Sequence, residues 1–149
     1  MAVAEPLSAD EQQDVLDDIT TMVLPTLPPG WAQLVVRASV VGRHSEASAG
    51  VLMPDRTTLR WDFPPDVWEL FQLLRKGMHV EGLGSWVGFS YVLDPPHEWS
   101  ISYNRDEAPV FQVAPTGLDY ATENRWFPRD PETAPAWFRA GLARGQAQG

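Results

Sequence analysis

Residues 85–104, SWVGFSYVLDPPHEWSISYN, constrain the fold more than any other stretch, because apolar and polar side chains alternate on both sides of a proline-containing turn. Alternation with period two puts one set of side chains on each face of a strand, so SWVGFSYVLD and EWSISYN read as a hairpin joined by DPPHE. Pro95 and Pro96 keep that turn from being one of the tightest primed turns, which need positive φ angles. In the second strand Trp99, Ile101 and Tyr103 point one way and fasten it to a core.

The segment before this hairpin alternates too. In WAQLVVRASVV, residues 31–41, Leu34, Val36, Ala38 and Val40 share one face while Gln33, Arg37 and Ser39 share the other. GRHSEASAG at 42–50 reads as a polar turn, VLMPD at 51–55 as a short second strand and TTLRWDF at 57–63 as a third. Residues 32–63 are thus expected to form a three-stranded meander, with Pro54 marking an edge or a bend.

Two helices are signalled as clearly. In LSADEQQDVLDDITTMVLPTL, Ser8 and Glu11 form a capping box, Asp10 and Glu11 sit at the positive end of the dipole, and Pro25 with LPPG ends the segment. Val15, Leu16, Ile19, Met22 and Val23 fall on one stripe, and Asp14, Asp17 and Asp18 face away. PPDVWELFQLLRKGM places Val67, Leu70, Phe71, Leu74 and Met78 at helical spacing, with Pro65 in the first turn, Arg75 and Lys76 in the last, and Gly77 as the stop. Beyond Pro109 the proline-punctuated chain predicts short helices around 117–126 and 134–143. The order α-βββ-α-ββ-α gives an α+β fold: one antiparallel sheet of about five strands with helices packed on one face.

With 149 residues and 44% hydrophobic content, the chain is expected to fold as one domain over 1–149, flexible at 1–7 and 144–149. It has no cysteine, which removes disulfides, thiol catalysis and thiolate metal sites and fits a cytoplasmic location. The start, MAVAEPLSADEQQ, has no basic lead and no apolar run, so neither a signal peptide nor a membrane span is expected. A net charge of −9 disfavours nucleic acid and anionic lipid and favours a basic partner, if charge selects a partner at all.

Catalytic and cofactor chemistry find little support. His44, His79 and His97 all fall in predicted loops, without the spacing of zinc ligands on a helix, and read as surface residues. GLGSWVG at 82–88 lacks the spacing of a phosphate loop and precedes a strand. Its glycines read as a tight reversal, with Gly88 at a bulge or a close backbone approach. Asp94, Glu98, Asp106 and Glu107 are expected to cluster near the hairpin, but as solvated carboxylates with no apolar pocket to raise a catalytic pKa. No catalytic residue, cofactor or metal is therefore assigned, and the chain is not read as an enzyme. Seven tryptophans exceed what a core of this size usually takes. The late set Trp126, Phe127, Trp137 and Phe138 either wraps the sheet and is buried or leaves an exposed anchor for a partner.

PPGW at 28–31 with the strand that follows, LFQLLRKGM, and WVGFSYVLDPPHEWSISYNRDE together resemble the YezG-like immunity proteins, antitoxins of bacterial polymorphic toxin systems. The likeness covers about 8–107, with Trp31, Trp86, Trp99, Ser100, Ile101, Tyr103, Asn104, Asp106 and Glu107 at matching places. The chain departs from the family in Pro95-Pro96-His97, where a turn glycine is frequent, and in Arg105, where an aromatic is common. The resemblance implies a cytoplasmic protein that binds a cognate toxin domain one-to-one and blocks it without a cofactor. Such toxins include nucleases, which are usually basic, and NAD-degrading enzymes. The expected toxin-binding residues are Asp94, Glu98, Asn104, Arg105, Asp106, Glu107 and Trp126. The alternative is a small acidic secretion chaperone or adaptor, a class that usually dimerises and holds an unfolded effector segment.

Overall fold

Ser8 starts the first helix as its spacing predicts. In α1, Ala9–Val23, the Ser8 hydroxyl accepts from Glu11 N at 3.1 Å, and the Glu11 carboxylate accepts from Ser8 N at 3.0 Å. The buried stripe of α1 is Val15, Leu16, Ile19, Thr20 and Val23. Met22, expected on that stripe, is exposed, because the stripe is turned toward Thr20. The Thr20 hydroxyl donates to Leu16 O at 2.9 Å and shares a 2.6 Å hydrogen bond with the Tyr91 hydroxyl, which makes its burial tolerable. The structure, a computed structural model, describes residues 6–148. The flexible ends expected at 1–7 and 144–149 lie partly outside that range, and within it the last helix, Ala136–Gln148, runs through 144–148.

Five strands, β1 (Gln33–Val41), β2 (His44–Leu52), β3 (Thr58–Arg60), β4 (Gly88–Asp94) and β5 (Glu98–Asn104), form one open antiparallel sheet in the order β3-β2-β1-β4-β5. With the helices packed on it, the fold is α+β, as the element order predicts. The alternation in β1 and β4 is realised: Leu34, Val36, Ala38, Val40, Phe89, Tyr91 and Leu93 are buried, and Val35, Ser39, Ser90 and Val92 only partly so. The polar turn expected at 42–50 is instead mostly strand β2, which faces β1 across the two-residue turn Gly42-Arg43. Gly42 adopts φ +59°, a left-handed value that glycine takes without strain. Pro54 lies in the turn after β2 and not within it, and β3 pairs with β2 in the register Val51 with Leu59.

Contacts divide the chain into two compact units. The first comprises 1–37, 48–78 and 90–102, and its core joins α1 to α2, Pro65–Gly77. There Phe71 of α2 meets Tyr91 edge-on at 5.9 Å, and Trp61 donates its indole N–H to the Thr26 hydroxyl at 2.8 Å. Arg75 and Lys76 stand in the last turn of α2 as expected, with Arg75 buried, and one expectation is corrected: Gly77 is no terminator but part of the helix, with Met78 as cap. Gly77 is small because Leu7 packs on it, its carbonyl accepting from Leu7 N at 2.8 Å.

The second unit comprises, among the described residues, 38–47, 79–89 and 103–148. Its helices α3, Gly117–Trp126, and α4, Ala136–Gln148, pack on each other, and α4 extends beyond the predicted end at 143. Val41, Val87, Tyr120, Ala134 and Phe138 form its core, with Phe111, Trp137 and Leu142 against them. The reversal expected at 82–88 is present: Gly82 and Gly84 both have positive φ, Val80 bridges Gly84, and a Cβ on Gly88 would lie 3.2 Å from Ala38 O. No described helix is long and apolar enough to cross a membrane.

Candidate functional site

The carboxylates expected to cluster at the hairpin are divided by β5. Asp94 and Glu98 flank the turn before it, whereas Asp106 and Glu107 follow its other end. The two pairs lie at opposite ends of β5, in different units, and are built in different ways.

The first pair lies in the first unit, which also carries the acidic face of α1. α1 carries Asp10, Glu11, Asp14, Asp17 and Asp18, all exposed, and no lysine or arginine. The Trp99 indole N–H donates to the Asp17 carboxylate at 2.8 Å, tying β5 to the acidic face of α1. On the hairpin, the Gln33 amide donates to Asp94 at 3.0 Å, and Glu98 is exposed at the start of β5. Asp17 thus serves both as an anchor and as a member of the acidic face.

The second pair sits on a braced loop. The Asn104 side chain closes a ring with Glu107, its Oδ1 accepting from Glu107 N and its Nδ2 donating to Glu107 O, both at 2.9 Å. Backbone carbonyls of the segment are occupied in turn: Asn104 O accepts from Val87 N at 2.7 Å, Arg105 O from Arg129 Nη2 at 2.9 Å, and Asp106 O from the Trp137 indole at 2.9 Å. Arg129, with a side chain only 2% exposed, also donates to Ser85 O at 3.1 Å and lies over the rings of Trp137 and Phe138. Gly84 leaves room for this guanidinium, since a Cβ there would meet Arg129 Nε at 2.7 Å. Asn104 and the Arg105 backbone are therefore structural, and the loop presents the Asp106 and Glu107 carboxylates to solvent. The Asp106 side chain is 67% exposed, held by Arg105 Nε at 3.2 Å with Arg129 Nη1 at 4.0 Å.

No family model and no curated protein matches the chain.

Of the late aromatics, Phe127 and Phe138 are buried and Trp137 half-buried, while Trp126, at 43% exposure, remains on the surface beneath the Arg43 guanidinium, 5.8 Å from its ring centroid. Of the three histidines expected in surface loops, His79 and His97 lie outside helix and strand, and His44 does not. His44 lies in β2, half-buried, with Nε2 donating to Val113 O at 2.8 Å, and His79 packs on Phe127 with Nε2 buried. Only His97 occupies an exposed turn.

The sequence alone does not single out Glu46, because 42–50 reads there as a polar turn. Its carboxylate accepts from Gln112 N at 2.7 Å and Val113 N at 3.0 Å, with His44 Nε2 at 3.2 Å, and these bonds hold its pKa below the usual carboxylate value. Once residues 44–46 are a strand, His44 and Glu46 share a face, and that spacing is the signal that could have revealed the latch. Among the described residues no group of three or more His, Cys, Asp or Glu is placed to hold a metal ion.

Proposed function

We propose that this chain is an immunity protein: a cytoplasmic inhibitor that binds a cognate secreted toxin domain, a nuclease or an NAD-degrading enzyme, one-to-one and covers its active site. The observation that carries the reading is the hydrogen bond from Trp99 to Asp17. It ties the acidic face of α1 to β5 and places a half-buried tryptophan beside Asp17, while Asp94 and Glu98 stand at the hairpin end of the same unit. An ordered acidic surface with an aromatic anchor suits a basic protein partner, because the charge steers the encounter and the ring supplies the buried contact. The resemblance to YezG-like immunity proteins over 8–107 supports the same class. Phosphate-rich partners, nucleic acid or anionic membrane, are disfavoured by the same charge.

Asn104 and Arg105 now act by bracing their loop, so the toxin contacts proposed there are Asp106 and Glu107, with Trp126 as a separate anchor. The test is co-expression with the toxin domain encoded beside this chain's gene. Restored growth together with a stable one-to-one complex is expected. Asp94→Lys with Glu98→Lys should slow association about tenfold or more, and Asp106→Lys with Glu107→Lys should weaken it separately. Full protection and unchanged binding with all four charges reversed would remove both acidic contacts from the proposal. Capture of an unfolded segment in place of a folded domain would turn the assignment to a secretion chaperone.

A further inference from the structure

The two edges of the sheet are unlike. β3 is three residues long, with exposed Arg60 paired to Asp62 just past its end and prolines at 54 and 64, the features that blunt an edge against pairing. β5 has seven residues, Glu98-Trp-Ser-Ile-Ser-Tyr-Asn104, with no proline, glycine or lysine among them. Among the described residues, no backbone segment outside the sheet bonds to residues 98–103. An edge of this kind presents a row of unpaired N–H and C=O groups, the template on which another strand pairs.

The occupant is indicated by the strand itself. Read outward from Ile101, β5 repeats in both directions: serine at 100 and 102, an aromatic at 99 and 103, an uncharged or singly charged polar side chain at 98 and 104. An antiparallel pairing about a two-fold axis through Ile101 sets Ser100 opposite Ser102 of a second copy, Trp99 opposite Tyr103, and Glu98 opposite Asn104. Hydroxyl pairs and aromatic pairs are among the cross-strand contacts that stabilise antiparallel sheets, and no like charges stand directly opposite. The faces also match, since Trp99, Ile101 and Tyr103 are half-buried and Ser100 and Ser102 exposed, and the two-fold axis preserves that division in both copies.

We infer that a second copy of this chain docks on β5, edge to edge and antiparallel, continuing the sheet through an isologous seam centred on Ile101. The chain has no cysteine, so the register can be read directly by introducing them. In the Ser100→Cys, Ser102→Cys double variant each new thiol faces its partner across the seam. On mild oxidation it should form a disulfide-linked dimer at least about tenfold faster than either single variant, in which the thiols are two residues out of register. Sedimentation equilibrium at physiological ionic strength should give twice the 16.6 kDa of the chain. Ser100→Lys with Ser102→Lys sets lysine opposite lysine and should weaken the dimer about tenfold or more, with near-ultraviolet circular dichroism unchanged as the check on folding. A mass of one chain at every concentration overturns the inference. So does cross-linking no faster in the double variant than in the singles, or an unweakened dimer in the folded lysine variant. The inference does not rest on toxin binding: the seam shares Glu98 and Trp99 with the proposed toxin surface, so self-association is read on the chain alone, by cross-linking and mass, with no toxin present.

Discussion

Arg129 ties the 104–107 loop to the segment that holds Ser85. Its guanidinium bonds two backbone carbonyls, Ser85 O and Arg105 O, from a site closed by Trp137, Phe138 and Gly84. Removing it leaves those carbonyls without their donor and opens a cavity, so Arg129→Ala should cost about 3 kcal/mol. Arg129→Lys should recover only part of that loss, because an ammonium cannot reproduce the fork. Urea unfolding followed by tryptophan fluorescence measures both, and a loss of less than about 1 kcal/mol for the alanine variant would show that the loop braces itself. The tyrosines make a second statement at this scale. Burial raises Tyr91 and Tyr103 from 10.0 to about 12, against the lowering effect of Thr20 on Tyr91. A phenol whose folded pKa stands above its unfolded one contributes stability that is complete below about pH 10 and is lost as pH rises through 12. The denaturation midpoint should therefore fall across that window, and Tyr91→Phe with Tyr103→Phe should flatten the fall. An equally steep fall in the double variant would place its cause elsewhere.

Elements were legible where one face is buried and the other wet. α1, α2, β1, β4 and β5 all announce themselves through Val15 and Ile19, Phe71 and Leu74, Leu34 and Val36, Tyr91 and Leu93, or Trp99 and Ile101, because periodicity follows burial. β2 was not legible. Its His-Ser-Glu-Ala-Ser-Ala-Gly run has almost no buried side chain, and it is held as a strand by its neighbours β1 and β3. That one misreading also hid Glu46, whose role depends on a contact to Gln112 and Val113 far along the chain. The candidate site shows the same limit: Asp94, Glu98, Asp106 and Glu107 are near in sequence, but a strand between them turns nearness into separation. The turn that makes β2 possible is testable. Gly42 combines φ +59° with a close approach to the Asp119 backbone carbonyl, while its N–H donates to Glu123 Oε1 at 2.8 Å. Gly42→Ala is strained both by conformation and by contact and should destabilise by about 1–3 kcal/mol, measured as a lower urea midpoint at unchanged slope. Wild-type stability in that variant would mean that the turn relaxes and α3 moves with it.

At the scale of the whole molecule, one number acts on two associations in opposite directions. The net charge of −9 favours a basic partner such as the proposed toxin domain and disfavours a second copy of the chain. Raising ionic strength shortens the Debye length, to about 8 Å at physiological salt and about 3 Å at 1 M, and so weakens both effects. Association with the toxin should slow by about tenfold or more as salt rises from low to physiological, with the dissociation rate changing little, because steering acts on the encounter. Self-association through β5 should strengthen over the same range, since its pairing is made by backbone hydrogen bonds and by serine and aromatic contacts that salt does not screen. With β5 as the seam, a doubled mass no longer separates an immunity protein from a secretion chaperone, and the folded or unfolded state of the captured partner becomes the discriminating observation. Stopped-flow association with the toxin domain and sedimentation of the chain alone, run across one salt series, read the two trends together. A toxin association rate indifferent to salt would show that the carboxylates of α1 and the hairpin do not steer it. A dimer that weakens with salt would show that ion pairs hold the copies together, and the seam would have to lie somewhere other than β5.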